Sequence, residues 1–248
     1  GSVSCVEEAG DVVINIAAKS ANDDRLSREA EAIGALRHEN VVELYEQLDL
    51  GGRKVLVLSF AGERSLAGYL RAEGPVSTDF LRRWGDDLLE AVRYLEKVGV
   101  AHRDVKPDNL GIIEMGPRKE SHLVLFDFSL AGTPTDDTTA GTPGYLDPFL
   151  SDESRQSYDL AAERYAAAVT IHEMATGETP SWGDGRSDPA YLPSDVQPVL
   201  LVEAIDPEVR GPVVAFLTGA LQRDPAARFD TADDMARAWL EVFADWEH

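Results

Sequence analysis

Apolar positions along this chain recur sometimes every second residue and sometimes every third or fourth, and each change of spacing marks a new element. Asp11 to Ala18, DVVINIAA, is rich in β-branched residues and predicts a strand with Val13, Asn15 and Ala17 on one face. Arg25 to Arg37 carries Leu26, Ala30, Ile33 and Leu36 in one stripe, which predicts a helix capped by Asp23 or Asp24. Val41 to Gln47 and Lys54 to Ser59 read as paired strands around the Gly51-Gly52 turn. With the first strand they make a small sheet carrying one helix.

The longest stripe, Phe80, Leu81, Trp84, Leu88, Ala91, Val92 and Leu95, predicts a helix over Thr78 to Val98 with Gly99 as its stop. Leu110 to Ile113 and Leu123 to Phe126 then read as a hairpin around a polar insert, Glu114 to His122. Asp159 to Thr176 is alanine-rich, helical and stopped by Gly177. Asp206-Pro207 and Thr231 open two last helices, with Phe216, Leu217 and Leu221, then Met235, Trp239, Leu240 and Phe243, as core stripes. No repeat or low-complexity tract interrupts this order.

Composition narrows the class. At 248 residues and 44% hydrophobic content the chain can bury a sizeable core. No apolar run reaches ~18 residues and no signal-peptide layout opens the chain, so a cytoplasmic protein is expected. The single Cys5 excludes an internal disulfide. A formal charge of -22 disfavours nucleic acid and anionic membrane as partners and suits basic proteins or peptides.

The candidate chemistry lies in Ala101 to Asn109, AHRDVKPDN. Two acidic groups, an amide and two cations follow a helix that Pro107 prevents from continuing. Asp104 can accept a proton, Lys106 can neutralise developing negative charge, and Asn109 can offer oxygen to a hard cation. That set suits phosphoryl transfer.

These residues also carry a resemblance. His102 to Asn109 fit the H-R-D-x-K-P-x-N catalytic loop, Asp127-Phe128-Ser129 stands where D-F-G is found, and Gly141-Thr142-Pro143-Gly144-Tyr145 follows in order. From about Asp11 to about Val242 the chain resembles a bacterial protein kinase of the eukaryotic type. Ser129, Glu163 and the LAAERYAAAV helix are similar to the phage-growth-limitation kinases. The resemblance implies an α+β, two-lobed fold, with a small lobe over residues 1–60 and a larger, mainly helical lobe over 61–248. It implies ATP and Mg²⁺ as cofactors, Asp104, Lys106, Asn109 and Asp127 as catalytic residues, and Asn109 and Asp127 as metal ligands. Leu58 becomes the gatekeeper, and Ser59 to Ala61 the hinge whose backbone binds adenine. The implied partner is a protein with a Ser or Thr acceptor. The chain itself is another, through Thr133, Thr135, Thr138 and Thr139, with Arg103 placed to clamp an added phosphate and Thr142 to orient Asp104 and Lys106.

Departures from the family pattern define a second expectation. Asn15 falls on the strand lysine that grips the phosphates, and Lys19 lies about 13 Å further along an extended strand. Glu29 matches the helix glutamate and is expected to have lost its lysine partner, or reads as an ordinary exposed helical acid. The glycine-rich loop is absent or truncated, with only Gly1, Ser2 and Gly10 before the strand. Val13 replaces the small ceiling residue of the nucleotide site, and Gly111 the leucine of its adenine floor. Glu163 falls on an aspartate of the family, a longer carboxylate in its place, and Asp147-Pro148-Phe149 replaces A-P-E, so Arg228 is expected to lose its glutamate. An impaired kinase follows, or a pseudokinase acting as an interaction or regulatory module. A small-molecule phosphotransferase is disfavoured by Lys106-Pro107 and the GTPGY segment.

Overall fold

The computed structural model describes residues 3–5, 12–16, 23–150 and 155–246, with the main chain alone up to residue 25. The side chains of Val13 and Asn15, and Gly1, Ser2, Gly10 and Lys19, lie outside the described residues.

Four antiparallel strands form the first sheet, in the order β1 (Val3–Cys5), β2 (Val12–Ile16), β4 (Lys54–Ser59), β3 (Leu44–Asp49). Asn15 stands opposite Leu56 and Val13 opposite Leu58, both leucines being buried. Helix α1 (Asp23–Ile33) packs Leu26, Ala30 and Ile33 into the same core.

The helix ends four residues earlier than its apolar stripe suggests, and Asp23 and Asp24 lie within it rather than before it. Gly34 breaks the helical run, and the chain then drops onto the long helix of Thr78–Val98. There His38 stacks on Tyr94 at 4.8 Å and the Arg37 N–H donates to the Tyr94 hydroxyl. The strand expected from Val41 begins only at Leu44. Val42 donates instead to the Leu125 carbonyl at 2.9 Å, Leu125 donates back to Asn40, and the Asn40 amide reaches the Leu123 carbonyl at 3.0 Å. This segment ties the first sheet to the rest of the molecule.

After β4 come β5 (Arg64–Ser65), α2 (Leu66–Glu73) and α3 (Thr78–Val98). Helix α3 runs over the predicted residues because Ser77 caps its start and Gly99, at φ 74°, ends it. Strands β6 (Leu110–Met115) and β7 (Glu120–Leu125) pair further out than expected, so most of the polar insert belongs to the ladder and only Gly116 to Lys119 turns. Gly116 and Lys119 both take positive φ, the geometry that a tight connection needs.

Helix α4 (Leu160–Thr176) is apolar nearly all round and is enclosed on every side. The pair β8 (Ser181–Trp182) and β9 (Pro198–Val199) follows, then α5 (Arg210–Ala220) and α6 (Ala232–Val242), the last capped by Thr231. Trp239 of α6 seats against Gly85 of α3, where any side chain would strike the indole. Leu240, expected in the core stripe, is exposed; one residue past Trp239 it has turned about 100° away from α3. No helix among the described residues is long and apolar enough to cross a membrane.

Candidate active site

The loop between α3 and β6 is held from beneath by one carboxylate. Glu163, buried near the start of α4, accepts from the His102 N–H at 2.7 Å and the Arg103 N–H at 3.0 Å, and the Tyr158 hydroxyl donates to it at 2.5 Å. Arg103 takes φ 70°, an uncommon conformation for a residue with a side chain, and the two bonds to Glu163 hold the main chain there. The longer reach of glutamate delivers the charge that the family obtains from aspartate.

His102 is fully buried. Its Nδ1 accepts from the Asp104 N–H, its Nε2 faces the Phe126 carbonyl at 2.9 Å, and its ring meets the edge of Phe128 with centroids 4.5 Å apart. The loop and the Asp127-Phe128-Ser129 segment are thereby joined through one imidazole.

Above this support sits the charged cluster. Lys106 Nζ donates to Asp104 Oδ2 at 2.7 Å and to Thr142 Oγ1 at 2.6 Å, while the Thr142 hydroxyl donates to Asp104 Oδ1 at 2.6 Å. The Asn109 amide nitrogen reaches the Asp104 carbonyl at 2.8 Å and Asp104 Oδ2 at 3.0 Å. Burial alone would raise the Asp104 pKa. The hydrogen bonds from Lys106 and Thr142, the lysine charge and the Asn109 amide outweigh it and hold the carboxyl below its ordinary value of 3.8.

The Phe126 N–H donates to the Asn109 carbonyl at 3.0 Å, so Asp127, at φ 64°, follows directly beside Asn109 at the root of the β6–β7 hairpin. The Asn109 donor end faces Asp104, which leaves its oxygen as the end that suits a hard cation. With the Asp127 carboxylate this makes two oxygen donors, the kind of partial set that Mg²⁺ completes with phosphate and water.

The segment after Asp127 is anchored at two points. Arg103 donates to the carbonyls of Thr133 at 2.6 Å, Pro134 at 2.8 Å and Asp137 at 2.5 Å, and lies over the Tyr158 ring. Further on, Arg228 does not lose its carboxylate, contrary to the sequence expectation. Asp147 is fully buried and takes both Arg228 and Arg155 at 2.5 Å, with Arg155 also bridged to Asp159. The acidic group stands two positions before the expected glutamate, on the other side of Pro148, and the fold accepts it there. Asp147-Pro148 already contained that signal; nothing in the spacing pointed to Arg155 or Tyr158.

The segment from β4 to β5, where the sequence reading expects the nucleotide, is held by main chain. Leu58 is buried, Ser59 exchanges bonds with Glu43 through its N–H and hydroxyl, and the Ala61 carbonyl abuts Gly111. An added Cβ at Gly111 would meet that carbonyl, so the position could not hold the leucine against which it was compared. Glu29 is buried at 2% and engaged, so it is not the exposed helical acid that the sequence allowed.

Fold and site together define the class of protein kinase domains. The model of the protein kinase domain matches residues 7–240, and the chain belongs to that family. It is 43% identical to the probable kinase PglW of Streptomyces coelicolor over 94% of its own length and 16% of that protein's. It is 27% identical to the serine/threonine-protein kinase PksC of the same organism, covering 90% of this chain and 42% of PksC. Human serine/threonine-protein kinase ULK1 is 26% identical over 88% of this chain and 21% of its own. The chain thus spans less than half the length of each of these relatives.

Proposed function

We propose that this domain transfers the γ-phosphoryl group of ATP to a serine or threonine hydroxyl of a protein substrate, at a rate lowered by Asn15 in place of the strand lysine. The observation that carries this reading is the Asp104–Lys106–Thr142–Asn109 cluster, whose bonds run from 2.6 to 3.0 Å. Residues 1–60 serve as the smaller lobe and 61–248 as the larger.

Asp104 is ionised at neutral pH and a weak base. It orients the incoming hydroxyl and takes its proton late, which suits a transition state with little bond formation to the nucleophile. Lys106 sets a positive charge beside the transferring group, and Thr142 fixes both side chains at once. Asn109 and Asp127 would hold Mg²⁺, which when bound neutralises phosphate charge. The hinge main chain from Ser59 to Ala61, beneath the Leu58 gatekeeper, would take adenine.

The physiological substrate is a protein in this reading, and the domain is cytoplasmic and part of a longer protein. Its likeness to the phage-growth-limitation kinases supports a role in phage defence. Self-modification at Thr133, Thr135, Thr138 or Thr139 belongs to the same proposal. Arg103 already holds carbonyls of that segment, so phosphate there would add to its order rather than create it. One observation favours a pseudokinase that acts as an interaction module: Asn15 lacks the cation that the phosphates require.

Asp104→Asn separates the two readings. In the kinase reading phosphate incorporation into protein falls by about a hundredfold or more. Stabilisation by Mg²⁺ and ATP in thermal unfolding persists at about 2.7 kcal/mol when nucleotide is a hundred times its dissociation constant. An unmodified protein that shows no thermal shift at millimolar nucleotide is an interaction module. An unmodified protein that carries no phosphate on these threonines when made where no other kinase is present rules out self-modification.

A further inference from the structure

The segment leaving the hinge crosses the β6–β7 hairpin at a seam with a glycine on either side. A Cβ at Gly111 would lie 1.7 Å from the Ala61 carbonyl oxygen and 2.7 Å from its carbon. A Cβ at Gly62 would lie 2.1 Å from the Ile112 carbonyl oxygen and 2.7 Å from its carbon. The contacts are reciprocal: the carbonyl beside each glycine rests on the glycine of the other strand, an approach that only Cα–H groups permit. Both obstructing groups are main chain, so neither can swing aside. Arg64 and Ser65 then pair with Ile112 and Gly111, which fixes the register of the crossing.

This seam joins the two ends of the site. Gly111 lies two residues after Asn109, on a strand whose partner β7 leads into Asp127. Ala61 closes the hinge. Any shift of the hinge against β6 is therefore a shift of the base subsite against both cation ligands.

We infer that Gly111, matched by Gly62, is the positioning residue that sets this spacing, and that its bare Cα is a requirement for nucleotide binding rather than a lost adenine floor. The inference rests on the kinase reading, because it takes Ser59 to Ala61 as the base-binding segment. Its sign is opposite to that of the floor argument. A side chain at position 111 weakens binding, and leucine weakens it more than alanine.

The test is calorimetric titration of the unmodified protein, Gly111→Ala, Gly111→Leu, Gly62→Ala and Gly116→Ala with Mg²⁺ and ATP, and separately with adenosine and with inorganic tripolyphosphate. Gly116 is the control for general hairpin damage, since it has φ 69° in the same hairpin and nothing within 4 Å of its Cβ position. Gly111→Ala and Gly62→Ala are each expected to lower ATP affinity by about tenfold to a hundredfold, as a misplacement of roughly an ångström does. Adenosine and tripolyphosphate, which need no fixed spacing, bind these variants as they bind the unmodified protein, and Gly116→Ala leaves all three affinities unchanged. Should Gly111→Leu not fold, the two alanine variants decide. Gly111→Leu that binds ATP as well as the unmodified protein, or Gly111→Ala that falls no further than Gly116→Ala, overturns the inference alone. An unmodified protein that binds no ATP removes the kinase reading and this inference with it.

Discussion

In the kinase reading proposed above, the acceptor end and the nucleotide end of this site are restrained by different physics. Around Asp104 the restraints are charged, hydroxyl and amide side chains: Lys106, Thr142 and Asn109 above, Glu163 and Tyr158 beneath, and the Asp147–Arg228–Arg155 group behind. At the hinge they are main chain: Ser59 on Glu43, the β5–β6 ladder, and the Gly62–Gly111 crossing. A side-chain network tolerates replacement when another residue delivers the same charge, and this chain does so twice, with Glu163 for the family's aspartate and Asp147 for its glutamate. A main-chain seam tolerates no side chain at all. A departure from the family pattern therefore has a different meaning at each end, and counting departures says little about activity.

The largest effect tests whether charge holds the acceptor end. Asp147→Ala leaves Arg228 and Arg155 buried without their shared carboxylate, and breaking a buried pair from one side costs about 3 to 5 kcal/mol. Urea unfolding measures it. A loss below about 1 kcal/mol, the range of exposed pairs, would break the comparison. The anchor would then be apolar packing around Phe149, which is buried and edge-on to Trp182.

This contrast also explains what was legible beforehand. Helix α3, its stop and the loop after it follow from local signals, a 3.6 period, Gly99 and Pro107, and the structure places them where the sequence does. Helix α2 was missed because its short run, with Leu66, Ala67 and Leu70 buried, carries too few apolar turns to stand out. The Asp104 cluster was legible as side-chain chemistry. The seam at Gly111 was not, since a glycine in a strand does not say what lies against it. Glu29 was misread for a related reason: burial depends on what packs over α1, and a helical period alone cannot report that.

A second effect, about 1.4 kcal/mol, probes the nucleotide end. Asn15→Lys returns a cation to β2 opposite Leu56, on a sheet packed against the helix that carries the buried Glu29. If the domain lacks only its phosphate grip, phosphoryl transfer rises at least about tenfold. Adding Glu29→Ala should remove much of the gain, because the lysine loses the carboxylate that positions it. No change in rate would mean that this end is limited by its main chain, which sharpens the contrast.

The smallest effect separates loss of the base from loss of the fold on acidification. Asp104 has its pKa held low, so the acid side of its titration lies below 3.8, and its protonation cannot explain a fall in activity between about pH 7 and pH 5. His172 can. It is buried in α4, its Nδ1 faces the Glu178 carbonyl at 2.8 Å, and its Nε2 accepts from the Leu201 N–H at 3.2 Å. Burial pushes its pKa below 6.5, against the smaller upward pull of the Glu178 carbonyl and charge. The folded state therefore binds this proton less readily than the unfolded chain does. The His172 contribution is fully present above 6.5 and is lost as pH falls from there through the lower folded value. Asp86, Asp87 and Glu173 have raised pKa values, chiefly from burial, and act with the opposite sign. The informative measurement is thus the difference between the unmodified protein and His172→Gln, in Tm and in activity, followed from about pH 7 to about pH 5. His172→Gln should be the less stable at pH 7, where it gives up a fitted imidazole, and should lose less on acidification. If the two stability curves run parallel, the imidazole is not the group that titrates. An activity that still falls while both proteins remain folded would then point to a proton at the site itself, and to an Asp104 less firmly held than its three side-chain partners require.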